Sequence, residues 1–159
     1  MEALTVRSLM SSPVITVAPY TQLPRLKHLM REHNIRRLPV LDGQRLVGII
    51  TLGDLRNAFP SDAPTLSIYE LSYLLSKVTA AEVMRTEVLT VAADAPLVEA
   101  TQRMLQHKVS GLPVMDGERV VGVLTESDVF RAVVSGQLAL VPSRVAALAH
   151  IQPAAQPIV

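Results

Sequence analysis

The 159-residue chain is 49% hydrophobic and 18% charged, carries a net charge of +1 and contains no cysteine. So much apolar material supports a packed core and excludes wholesale disorder, while near-neutral charge and 3% aromatics argue against a nucleic-acid-coating surface. Disulfides and thiolate metal sites are excluded; Met1–Thr5 lacks the basic start and apolar run of a signal peptide, and no apolar stretch approaches the ~20 residues of a membrane helix, so a cytoplasmic protein without membrane contact is expected.

In chain order, Val14–Val17 is short, β-branched and flanked by Pro13 and Pro19, which predicts a buried strand. Leu23, Leu26 and Met30 fall at helical spacing. The apolar runs Leu38–Leu41 and Leu46–Ile50 predict two strands joined at Asp42-Gly43, residue types that tolerate the positive φ of a tight turn. A second helix is expected from about Asp54. Pro60–Pro64 reads as a loop. Ser67-Ile68-Tyr69-Glu70 then forms a capping-box signal ahead of Leu71, Leu74 and Leu75, so 67–77 is predicted as an inserted helix serving packing or dimerisation. Thr79-Ala80-Ala81-Glu82 repeats the capping signal. Leu97, Ala100 and Met104, with Thr101 and Leu105, mark the next helix; Asp94 is placed to cap it and Pro96 to occupy its first turn. Past Gly136, Ser143–Ile151 predicts a short apolar helix ended by Pro153 and Pro157, in a terminal strap or tail.

The second half restates the first. Residues 6–58 laid over 80–132 without a gap, an offset of 74, give 19 identities in 53 positions. They cluster: Leu38-Pro39-Val40 recurs as Leu112-Pro113-Val114, Asp42-Gly43 as Asp116-Gly117, and Asp54 as Asp128. Gly48 and Thr51 recur as Gly122 and Thr125, and Val14, Thr16 and Val17 as Val88, Thr90 and Val91. Two copies at this period mean a duplicated supersecondary unit, each copy reading strand, helix, strand, strand, helix, with the halves covering one another's apolar faces. The expected boundaries are 1–62 for the first copy, 63–78 for the inserted helix, 79–136 for the second copy and 137–159 for the tail. The fold class is α/β: two β-α-β-β-α units packed with pseudo-two-fold symmetry, with any site arising in pairs at the seam.

On these residues the chain resembles a tandem pair of CBS domains (a Bateman module). The family pattern is an apolar-Pro-Val-apolar-Asp segment followed by Gly-apolar-apolar-Thr/Ser-x-x-Asp, matched by Leu38–Asp42 with Gly48–Asp54 and by Leu112–Asp116 with Gly122–Asp128. The helical insert resembles that of bacterial pairs of the acetoin-utilisation type. The resemblance implies clefts between the copies for adenosyl ligands (AMP, ADP, ATP, S-adenosylmethionine or cyclic di-AMP), no required cofactor, a homodimer, and an effector protein of unknown identity that reads occupancy.

Thr51-x-x-Asp54 and Thr125-x-x-Asp128 have chemistry suited to such a ligand. Each lies at a strand-to-helix turn, where a hydroxyl and unpaired backbone N–H groups can meet a phosphate and a carboxylate can accept ribose hydroxyls. The same pattern is also a capping box, and both roles can coexist. The resemblance places Thr125, Ser127 and Asp128 opposite Thr16, Ile35, Arg36 and Arg37 in one cleft, and Thr51 and Asp54 opposite Thr90, Val109, Ser110 and Gly111 in the other. The first cleft gains two guanidinium groups for phosphate, whereas the second, with Gly53 in place of Ser127, has no comparable cation nearby in sequence. Arg36-Arg37 can equally be two solvated charges at a corner. His33 and His107, equivalent in the repeat, suit a dipole-stabilising role at their helix ends better than metal binding, and His28 and His150 add no ligand spacing. No nucleophile or metal motif accompanies the carboxylates, so no enzyme is expected. The alternative to a ligand-binding module is a dimerisation scaffold that has lost its ligand.

Overall fold

The computed structural model describes residues 4–59 and 66–138; the loop expected at Pro60–Pro64 and the helix expected at Ser143–Ile151 lie outside them. In the first copy, α2 (Leu23–Glu32) buries Leu23, Leu26 and Met30 on one face and carries Pro24 in its first turn. It ends where Asn34 takes a left-handed φ of 51°, which Asn accepts more readily than most residues. The chain continues into β1 (Arg37–Asp42), β2 (Arg45–Thr51) and α3 (Leu52–Asn57). After the inserted helix α4 (Ile68–Lys77) and the short α5 (Ala80–Val83), the second copy repeats the pattern in β3 (Val91–Ala92), α6 (Leu97–His107), β4 (Gly111–Asp116), β5 (Arg119–Thr125) and α7 (Glu126–Val134).

The two hairpins match closely. β1 and β2 pair antiparallel with a bulge at Val40/Leu41, and β4 and β5 with one at Val114/Met115. Gly43 and Gly117 turn them at φ of 63° and 59°. The first strand of each copy is shorter than Val14–Val17 suggests. In the first copy only Val17 bridges Val40, in parallel, whereas the second copy forms the two-residue β3 beside β4. The difference follows from one proline. Ala93 donates its N–H to the Met115 carbonyl at 2.8 Å, and the equivalent residue, Pro19, has no N–H to donate.

Each copy reaches into the other. The N-terminal arm, with the single-turn α1 (Val6–Leu9), packs Val6 at 0% exposure into the second copy's core among Leu97, Ala100, Leu112 and Leu124. Reciprocally, Ala80 of α5 is buried among Leu23, Leu26, Leu38 and Ile50. The backbone bonds mirror one another at the 74-residue offset: Val6 N–H to Ala95 O and Ala80 N–H to Thr21 O, Leu97 N–H to Leu4 O and Leu23 N–H to Val78 O. The last pair overturns one expectation. Asp94 does not cap α6; the helix begins at Leu97 with Pro96 at its N-cap position, and a carbonyl from the other copy's arm takes its first N–H. The arms then run antiparallel to β2 and β5, with Arg85 bridging Ile49 and Ser11 bridging Val123. That close approach explains the interior strand glycines Gly48 and Gly122, where a Cβ would press on Met84 and Met10 respectively.

α4 has the expected capping box, Ser67 with Glu70. Its Leu75 touches the first copy's core while Ile68, Tyr69 and Tyr73 stay exposed. Among the described residues no helix is long and apolar enough to cross a membrane.

Candidate functional site

Two cavities open at the seam, of about 400 and about 570 Å³, within the range of small-molecule sites. The first lies over the β5–α7 junction and is walled by the α2–β1 corner and the segment at Pro13–Ile15. The second lies over the β2–α3 junction and is walled by the α6–β4 corner and the segment at Glu87–Leu89. Thr125, Ser127 and Asp128 do share the first cavity with Ile35, Arg36 and Arg37, and Thr51 shares the second with Val109, Ser110 and Gly111. Three expected residues, Thr16, Thr90 and Asp54, do not line their cavities. Pro13, Val14 and Ile15 line the first cavity in place of Thr16, and Glu87, Val88 and Leu89 line the second in place of Thr90, whose carbonyl accepts a bond from Arg103. Asp54 accepts from the N–H and hydroxyl of Thr51, which does line the second cavity.

Both Thr-x-x-Asp segments are complete capping boxes. In the first cavity, Asp128 Oδ2 accepts from the Thr125 N–H at 2.8 Å and hydroxyl at 2.7 Å. Its Oδ1 accepts from the Ser11 hydroxyl at 3.3 Å and the Arg131 guanidinium at 3.1 Å. The carboxylate side chain is only 4% exposed. In the second, Asp54 Oδ2 takes the Thr51 N–H and hydroxyl at 2.8 and 2.7 Å, while Oδ1 receives both Nε and Nη2 of Arg85 at 3.0 Å. Burial by itself pushes the Asp54 carboxyl upward, but the Thr51 and Arg85 hydrogen bonds outweigh it and hold the group below its ordinary value.

The copies differ at the shared ridge. Arg36, Arg37 and Ser110 line both cavities. Arg37 crosses the seam, donating to the Ser110 hydroxyl, and occupies the space that Gly111 leaves: a Cβ on Gly111 would lie 2.9 Å from Arg37 Nε. Burial lowers the Arg37 pKa, with Glu126 pulling it back up and Arg36 adding to the fall. Arg37 is thus a structural cation at the seam as well as a cleft residue.

The second cleft, expected to lack a cation, has Arg56, Arg85 and Lys108 in addition to the shared pair. Arg85 could not be placed from sequence because it arrives on the exchanged arm, 31 residues from Asp54. The available signal was the recurrence of Met10 and Gly48 as Met84 and Gly122, an arm residue and a strand glycine retained together. His33 is the C-cap residue of α2 and His107 the last residue of α6. Among the described residues no three His, Asp or Glu side chains gather as a metal site, and no buried polar side-chain atom lacks a partner.

The CBS domain pattern matches residues 6–61 and again 80–135. Over 132 residues the chain is 32% identical to the A-adding tRNA nucleotidyltransferase of Geobacter sulfurreducens, a match covering 83% of this chain and 14% of that protein. Three curated relatives are much longer proteins, of which the chain spans 14, 22 and 22%. Among solved structures, the CBS domain pair of protein MJ0100, in complex with 5′-methylthioadenosine and S-adenosyl-L-methionine, superposes with a TM-score of 0.70 at 29% identity, covering 86% of this chain and 100% of that one. A protein assigned to acetoin utilization (AcuB) from Vibrio cholerae gives 0.71 at 31% identity, covering 86% and 94%.

Proposed function

The chain belongs to the CBS domain family as a tandem pair, and from that premise we propose that it is a regulatory module binding an adenine nucleotide or related adenosyl ligand in its two inter-copy clefts. The observation that carries the reading is that each Thr-x-x-Asp segment opens onto a seam cavity holding cations from the other copy: Asp128 lines the first with Arg36 and Arg37, and Thr51 lines the second with Arg85 and Lys108. The likeness to a pair that binds two adenosyl compounds supports it. In the first cleft, Asp128 Oδ1 exchanges its Ser11 bond for ribose hydroxyls, Thr125 and Ser127 supply hydroxyls, Ile35 gives an apolar wall for a base, and Arg36 with Arg37 meets phosphate. In the second, Asp54, Thr51, Val109, Ser110 and Gly111 take the corresponding places. The role is binding rather than catalysis. Occupancy acts by favouring one arrangement of the two copies, or of a homodimer, over another, and an effector protein reads that difference.

A dimerisation scaffold without ligand is the second reading, favoured by one fact: every oxygen of Asp54 and Asp128 is already engaged within the chain. Calorimetric titration of nucleotide-free protein with AMP, ADP, ATP, S-adenosylmethionine and cyclic di-AMP separates the two. Saturable binding of at least one ligand, weakened by Asp128→Asn, is expected; silence with all five would leave the scaffold.

A further inference from the structure

The two clefts carry different charge. Three arginines line the first with Glu126 and Asp128; four arginines and a lysine line the second with Glu87, and Asp54, off the cavity wall, is held by Arg85 and by the Thr51 of that wall. They also differ in what guards the acid. Position 11 is a serine whose neutral hydroxyl rests on Asp128 at 3.3 Å, and the equivalent position 85 is an arginine that grips Asp54 with two nitrogens at 3.0 Å. Arg131 does reach Asp128, but through one contact from its own helix.

We propose that Arg85 is a latch that makes the second cleft selective for phosphate-bearing adenosyl ligands, while the first also accepts phosphate-free ones. This rests on the adenosyl-binding reading above.

The physical reason is the fate of the Asp54 charge. Its side chain is 9% exposed and that of Arg85 is 67% exposed, so the carboxylate is the partner that suffers when the pair opens. A ribose that displaced Arg85 would replace a bidentate cation with two neutral hydroxyls on a nearly buried carboxylate. A phosphate changes the exchange: it offers Arg85 a new anion within the same cavity, beside Arg56 and Lys108, and frees Asp54 Oδ1 for the sugar at the same step. Phosphate and ribose recognition are therefore coupled through one side chain in the second cleft and independent in the first. Arg85 can move without unfolding its segment, because the arm is fastened by backbone bonds between Arg85 and Ile49, 2.9 and 3.0 Å long.

Calorimetry with ADP and with adenosine tests this on the wild type, Arg85→Ser and Ser11→Arg, each first checked for an intact thermal transition. In the wild type, ADP should fill both clefts and adenosine only one. Arg85→Ser should admit adenosine to both and weaken ADP at one of its two sites about tenfold. Ser11→Arg should abolish adenosine binding while ADP still binds. Adenosine filling both clefts of the wild type, or an unchanged adenosine stoichiometry in Arg85→Ser, would overturn the latch and leave the adenosyl-binding module standing. Absence of binding by either ligand to wild type and variants alike overturns both.

Discussion

The exchange of arms makes a sharp prediction at the two strand glycines. A Cβ on Gly122 would lie 2.9 Å from the Ser11 carbonyl oxygen and 2.7 Å from Met10 Sδ. A comfortable carbon–oxygen contact is about 3.3 Å or more, so backbone must give way. It is poorly able to, because Ser11 and Val123 exchange two backbone bonds of 2.9 and 3.1 Å at that point. Overpacking of this kind costs about 1–3 kcal/mol. At ~2–4 °C per kcal/mol for a chain of this size, Gly122→Ala should lower Tm by about 2–12 °C. At Gly48 the two nearest atoms both belong to the Met84 side chain, with Cγ at 2.8 Å, and the Arg85 carbonyl is farther, at 3.1 Å. A side chain can turn away where a paired carbonyl cannot. In double-mutant cycles read by thermal unfolding, Met84→Ala should therefore relieve Gly48→Ala substantially, with a coupling of about 1 kcal/mol, and Met10→Ala should relieve Gly122→Ala much less. A Gly122→Ala protein melting within a degree of wild type, or equal rescue at both sites, would refute the backbone contact on which the placement of Ser11 and Arg85 depends.

Asp128→Ala removes the N3 carboxylate of a capping box as well as a proposed ligand contact, so it should cost about 1–2 kcal/mol in a chemical denaturation curve in addition to weakening binding; an unchanged midpoint would mean that Thr125 alone caps α7. Asp54 is held below its ordinary value of 3.8, so the unfolded chain takes up this proton first as pH falls. Its contribution is full above that ordinary value and is lost as pH falls through the folded value. Asp54→Asn should accordingly flatten the acid limb of stability against pH below about pH 4, and an acid limb parallel to wild type would show that Arg85 and Thr51 do not hold the charge.

Much of this molecule is written in short-range pattern. The Asp-Gly hairpin turns, the helical stripes at Leu23, Leu26 and Met30, and the capping boxes at Ser67, Thr79 and Thr125 all depend on residues a few positions apart, whose spacing and backbone preferences are visible without a fold, and the 74-residue repeat shows each of the two copies to carry the same pattern. The strand at Val14–Val17 and the Asp94 cap depart from expectation for a common reason: the partners that decide them are distant. Val17 bonds to Pro39, Pro19 cannot extend that pairing, and the N–H that Asp94 would have capped goes to Leu4. The seam divides the same way. The family resemblance implies that the Thr-x-x-Asp pairs and the corner at Arg36-Arg37 are cleft residues. Only tertiary structure decides that the arms cross, that Ser11 rather than Arg85 meets Asp128, and that Arg37 fills the gap at Gly111. Local sequence sets the backbone conformations and caps of each unit; which side chain then meets which carboxylate depends on packing between units far apart in the chain, and a single copy contains no trace of it.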